Sequence, residues 1–134
     1  MKKEVLIDNE YVSLWVYPEA RIVHHKIKQT MPPGVFPGLL RAGAEWLVKN
    51  RAIKWLSDDT NNVLVSQEDN EWGDKNWAPK VVFAGFRYWA VVMPEDKRGK
   101  TQMQRFVEEN QERGITVRVF KAVEDALNWL LSVS

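Results

Sequence analysis

Ile53-Lys54-Trp55-Leu56-Ser57-Asp58-Asp59-Thr60-Asn61-Asn62 is the segment from which the architecture can be read. Ile53 to Leu56 is compact and apolar and reads as a buried strand. It ends abruptly in side chains that hydrogen-bond to nearby backbone and so favour turns and caps. Ser66 then opens a helix, with Asp69 three places on, a capping-box variant that uses Asp where Glu or Gln is usual. Upstream, Phe36, Leu39, Leu40, Gly43, Trp46 and Leu47 repeat with a helical period. Met31-Pro32-Pro33-Gly34 is a hard stop before that helix, Pro37 sits in its first turn, and Arg51-Ala52 closes it. Gly38 and Gly43 suit close approach to a sheet. Downstream, apolar content runs through Trp72 and Trp77 to Gly85, and Tyr88 to Met93 is a near-continuous apolar strand. A charged loop, Pro94 to Lys100, leads into a helix marked by Met103, Phe106, Val107 and Asn110. Gly114 stands where a left-handed cap is wanted. Ile115, Val117 and Val119 alternate as an edge strand does, and a last helix starts near Ala122.

Before the first helix come three strand signals: Glu4–Ile7, Tyr11–Tyr17 and Arg21–Lys28. The last two, joined by Pro18-Glu19-Ala20, read as a hairpin with one solvated face. The order is β-β-β-α-β-α-β-α-β-α. Alternating strands and helices imply right-handed crossovers and a mostly parallel sheet, with an antiparallel N-terminal edge. The fold class is α/β, one domain over residues 1–134 with about four flanking helices.

Composition narrows the function. The 134 residues carry 19 basic and 18 acidic side chains, a net charge of +1, which is no signature of a nucleic-acid partner. There is no cysteine, hence no disulfide framework, thiolate metal site or cysteine nucleophile, which fits a reducing, cytoplasmic setting. No apolar run approaches the ~20 residues that span a bilayer. Asp8, Asn9 and Glu10 end the first apolar stretch too early for a signal-peptide core.

Ligands of open α/β sheets bind beyond the carboxyl ends of the parallel strands, here the loops 57–62 and 95–100. Lys97, Arg98 and Lys100 before a helix suit a phosphate, although no glycine-rich fingerprint accompanies them. Asp58 and Asp59 are the acids for a hard cation, but adjacent strand residues point to opposite faces and do not converge. Ser57 and Thr60 are the phosphoacceptor candidates. His24 and His25, the two histidines, face opposite ways and cannot share a metal, and no G-x-S-x-G elbow accompanies them. No metal site or cofactor is expected, and no catalytic residue.

Seven tryptophans are the stronger lead. Trp72 and Trp77 lie about 140° apart around an ideal helix, so both cannot face one core. Pro79 removes a hydrogen bond and clashes with the carbonyl of Lys75, which predicts a kink that turns Trp77 back under the sheet or leaves an indole outside. Trp15 shares a strand face with Tyr11, Ser13 and Tyr17.

Lys54-Trp55-Leu56-Ser57-Asp58, Glu68-Asp69 with Trp72, Trp77-Ala78-Pro79-Lys80, Ala84-Gly85 and the ending from Phe120 to Trp129-Leu130 together resemble small bacterial proteins of the SpoIIAA-like group. That group has the STAS fold and is related by fold to the lipid-binding CRAL-TRIO domains. The resemblance implies a mixed sheet flanked by helices, in a group mostly without known activity. Anti-sigma-factor antagonists of that fold carry an Asp-Ser-Ser-Gly-like phosphorylation motif. The matching stretch here is Asp58-Asp59-Thr60-Asn61, without the serine pair and glycine. The expected function is therefore a non-catalytic regulatory module that binds a protein partner, a second copy included. Its expected surface is the helix from Ser66 to Gly85 with Trp72 and Trp77, beside the Asp58-Asp59 loop. The alternative is a small-molecule or lipid-binding module with a pocket between that helix and the sheet, lined by Trp55, Trp72 and Trp77.

Overall fold

A computed structural model of the chain describes residues 1–133. Strands β1 (Glu4–Asp8), β2 (Val12–Tyr17) and β3 (Ile22–Ile27) precede helix α1 (Val35–Asn50) and strand β4 (Lys54–Asp58). Helix α2 (Gln67–Trp72) passes through a π-helical turn (Gly73–Trp77) into α3 (Ala78–Phe83). Strand β5 (Tyr88–Val92), helix α4 (Lys97–Glu112), strand β6 (Thr116–Phe120) and helix α5 (Val123–Ser132) complete the chain. If α2, the π turn and α3 are taken as one bent helix, the order is the one read from the sequence.

The six strands form one sheet in chain order, β1 to β6. The first two pairings are antiparallel and the remaining three parallel. Successive right-handed crossovers that advance in one direction leave their helices on one face. Accordingly Leu39, Leu40, Ala44 and Leu47 of α1, Trp77, Ala78 and Val81 of the bent helix, and Met103 and Val107 of α4 share one core with Val23, Trp55 and Val91. Helix α5 covers the other face through Ala126 and Leu130, which meet Tyr17, Ile22, Leu56, Ala90 and Val92. The sheet is thus unevenly clothed, with three helices on one side and one on the other.

Local chemistry explains the boundaries. The Ser66 hydroxyl accepts from the Asp69 backbone N–H at 3.2 Å, so the cap forms as expected. The Asp69 carboxylate accepts from Gly34 N–H at 3.3 Å, tying α2 to the start of α1. Gly114 ends α4 with φ of +92°, the left-handed conformation glycine tolerates best. Gly43 is required by contact: a Cβ there would lie 2.2 Å from the Trp55 ring, whereas one on Gly38 would meet nothing.

Two expectations need correction. Strand β4 runs on through Ser57 and Asp58, which had read as turn. Parallel pairing explains this, because Ser57 and Asp58 find backbone partners opposite Val91 and Val92 of β5 and opposite His25 and Lys26 of β3. The hairpin also lacks a solvated face: Ser13, Tyr17 and His24 are buried along with Val12, Leu14 and Val16. Trp15, Tyr17 and His24 close that face by packing on one another, with ring centroids 4.3 Å apart for Trp15–His24.

Candidate functional site

Beyond the carboxyl ends of β3 and β4 lies a cavity of about 60 Å³ between the sheet, the π turn and α4. Its walls include Trp55, Trp77 and Trp89, Phe36 and Phe106, with His25, Ser57 and Asp59 set among them. The strand register brings these polar groups together. His25 pairs with Ser57 across β3–β4, and Ser57 with Val91 across β4–β5, so His25, Trp55 and Ser57 point to the three-helix face. Leu56 and Asp58 point the other way, as adjacent strand positions must.

The two acids separate. Asp58 Oδ1 accepts from the Thr60 hydroxyl at 2.7 Å and the Thr60 N–H at 3.2 Å, an ordinary Asx turn. Asp59 stands just past β4, held to β5 by its N–H to the Val92 carbonyl at 3.0 Å. Its Oδ1 lies 2.9 Å from His25 Nε2, and the pair is almost sealed, at 1% and 3% exposure. Trp55 donates its indole N–H to His25 Nδ1 at 3.0 Å. An indole nitrogen has a proton to give and no lone pair to accept with, so Nδ1 must be the acceptor. The ring proton therefore sits on Nε2 and is donated to Asp59.

Ser57 belongs to a second pair: its oxygen accepts the Trp89 indole N–H at 2.7 Å. Ser57, His25 and Asp59 thus share a wall without forming a relay. Both imidazole nitrogens are occupied, by Trp55 and Asp59, and neither remains to take a proton from Ser57. As a phosphoacceptor, Ser57 is buried under Trp89, and the Thr60 hydroxyl is committed to Asp58.

The kinked helix supplies the remaining wall. Pro79 lacks the N–H that an unbroken helix would use. The chain widens just before it, with the Ala78 N–H reaching back five residues to the Gly73 carbonyl. The wide turn swings Trp77 inward, where it meets Trp55 edge-to-face at 5.2 Å and Phe86 at 5.8 Å. Trp72 stays half-buried at the surface under the Arg41 guanidinium, 5.0 Å from its ring centroid, and lies outside the cavity wall. Of the candidate residues, the fold gathers Trp55, Asp59, Trp77 and Ser57 at the cavity and sends Asp58, Thr60 and Trp72 elsewhere.

Two buried polar atoms of this wall have no hydrogen-bond partner, Trp77 Nε1 and Asn70 Oδ1. At the rim, Arg113 bonds Asp74 at 2.7 Å and Asn110 at 3.2 Å, bridging α4 to the π turn. A groove of about 470 Å³ between α2 and α4 shares Asn70, Asp74 and Phe106 with the cavity. No cluster of three or more metal-ligating side chains occurs among the described residues.

The basic loop is internally satisfied. Asp96 caps α4 by accepting from Arg98 N–H at 2.9 Å and also pairs with the Arg98 side chain. Those hydrogen bonds hold the Asp96 carboxyl below its usual range. A carboxylate thus already occupies the helix start that had suited a phosphate.

His25, Trp89 and Asn70 were not singled out from the sequence as binding residues. Trp89 read as one more apolar position of a buried strand, and only the cross-strand register shows its N–H meeting Ser57. Comparison with family models, curated proteins and solved structures returns no match for this chain.

Proposed function

We propose that the protein is a non-catalytic binding module whose ligand is a small organic molecule held in the cavity beneath the π turn. One observation carries this reading. Trp55, Trp77 and Trp89 are turned inward around an open space, and two buried polar atoms, Trp77 Nε1 and Asn70 Oδ1, are left for something to complete. Unmade buried hydrogen bonds cost about 1–3 kcal/mol each, so a ligand that makes them recovers that energy on binding. Binding sites of this kind are mostly apolar with a few placed polar groups. Membership of the SpoIIAA-like group is part of the same proposal, supported by the mixed sheet flanked by helices. The fold relation of that group to lipid-binding domains favours a ligand over a phosphorylation switch.

Native mass spectrometry of the purified chain and a thermal-shift screen of small polar organic molecules test this. The expected result is a bound species or a rise in Tm, lost in Trp77→Leu. A screen in which nothing binds the wild-type chain would contradict it.

A second reading, binding of a protein partner or a second copy, starts from Phe83 at the end of α3, which at 95% is far more exposed than any other large apolar side chain among the described residues. Phe83→Ser should then alter sedimentation or pull-down behaviour and leave Tm unchanged. Unaltered association would remove this reading.

A further inference from the structure

We infer that the cavity takes the head of an organic ammonium ion, an inference that rests on the ligand-binding reading above. The charges in this aromatic-walled cavity do not balance. Asp59 is 1% exposed, and its ion-pair partner among the described residues is His25. His25 brings no charge to that contact, because Trp55 donates to Nδ1 and leaves one ring proton, on Nε2. The other charged groups in the wall, Asp74 and Arg113, bond each other and cancel. The wall therefore carries one carboxylate with no counter-charge. Buried carboxylates are ordinarily paired with a cation, and Asp59 lines an unfilled space.

The surrounding side chains suit the same occupant. Trp55, Trp77 and Trp89 present indole rings to the cavity, and tryptophan is the most favourable ring for holding a cation. Asn70 is part of the same wall, and its buried Oδ1, an acceptor without a donor, would take an ammonium N–H. The volume of about 60 Å³ is well under the roughly 150 Å³ that admits benzene, so it fits a head group of a few atoms. The remainder of the ligand would lie in the neighbouring groove. With Asp74 paired to Arg113, that groove carries Glu71 and Glu109 against Arg105, and a cleft with an excess of negative charge draws in a cation.

The experiment compares n-butylammonium with n-butanol, which has the same number of heavy atoms and no charge. Binding to the full chain is followed by shifts of the tryptophan indole N–H resonances. The ammonium should bind at least tenfold more tightly than the alcohol. Asp59→Asn, whose amide oxygen still accepts from His25 Nε2, should abolish that preference. The comparison on the wild-type chain stands even where the variant folds poorly. A preference below tenfold, or one retained in Asp59→Asn, overturns the ammonium inference while leaving a neutral ligand for the cavity. Binding of neither probe also overturns it, and the ligand-binding reading is then decided separately by its own screen.

Discussion

His24 and His25 are neighbours on β3, yet they meet opposite surroundings. His25 faces the three-helix side, where both ring nitrogens are bonded and Asp59 completes the contact. His24 faces the single-helix side between Trp15 and Tyr17, with Nδ1 3.0 Å from the Tyr17 hydroxyl and Nε2 without a partner. Burial, then the neighbouring His25, Lys3 and Lys26, lower the His24 pKa to about 3. The difference follows from the clothing of the sheet. Three helices bridged by a widened turn leave a mostly apolar gap with a few polar groups in its wall, whereas a hairpin closed by its own aromatic rings leaves room for nothing but the rings.

The sharpest break of this comparison is substitution of each histidine. His25→Leu removes the partner of a buried carboxylate and of the Trp55 N–H, and should cost about 3–5 kcal/mol in denaturant unfolding. A double variant, His25→Leu with Asp59→Leu, should recover much of that loss, since the stranded charge goes with its partner. His24→Phe removes the unpartnered Nε2 but also the Tyr17 hydroxyl's partner at Nδ1, and should cost about 1–2 kcal/mol at neutral pH, less than His25→Leu. Equal costs for the two single variants would mean that the faces do not differ as described.

Acid should separate them next. The folded-state pKa of His24 lies below its unfolded value of 6.5, so the unfolded chain binds the extra proton first as pH falls. This contribution to stability is present in full above pH 6.5 and declines from there down to about pH 3. The slope is about 1.4 kcal/mol per pH unit, so two units cost about 3 kcal/mol. Unfolding free energy measured from pH 7 to 4 should show it in the wild type. His24→Phe should flatten that part of the profile.

Smaller effects probe the helix side. Gly43→Ala drives a methyl into the Trp55 ring and should cost about 1–3 kcal/mol, with Trp55 displaced at the cavity wall. Ser66→Ala removes the cap of α2 and should cost about 1 kcal/mol. Thermal unfolding of the two variants checks both values. A Gly43→Ala chain as stable as the wild type would mean that α1 does not press on Trp55.

The sequence carried the architecture because each element has its own local signal. Strand runs, the Ser66 cap, the Gly114 turn and the Pro79 kink are all set by neighbours within a few residues. The opposite facing of His24 and His25, and of Asp58 and Asp59, followed from strand alternation alone. The site was only partly legible. Trp55, Trp77 and Asp59 were named, but as parts of an exterior patch or a general aromatic pocket. The contacts of His25 with Asp59 and of Trp89 with Ser57 join residues 34 and 32 positions apart. They exist because β3, β4 and β5 pair in one particular register, which no local pattern specifies. Burial of the hairpin's second face depends likewise on tertiary packing by Trp15, Tyr17 and His24.

In the function proposed above, the inward-turned indoles, rather than an exposed patch, hold the ligand. An assigned spectrum of the seven tryptophan N–H groups, titrated with a molecule that raises Tm, tests it most directly. The resonances of Trp55, Trp77 and Trp89 should move together, with Trp77 moving furthest as its N–H gains a partner, while Trp15, Trp46, Trp72 and Trp129 stay still. Shifts confined to those outer four, with the cavity indoles unmoved, would contradict the account.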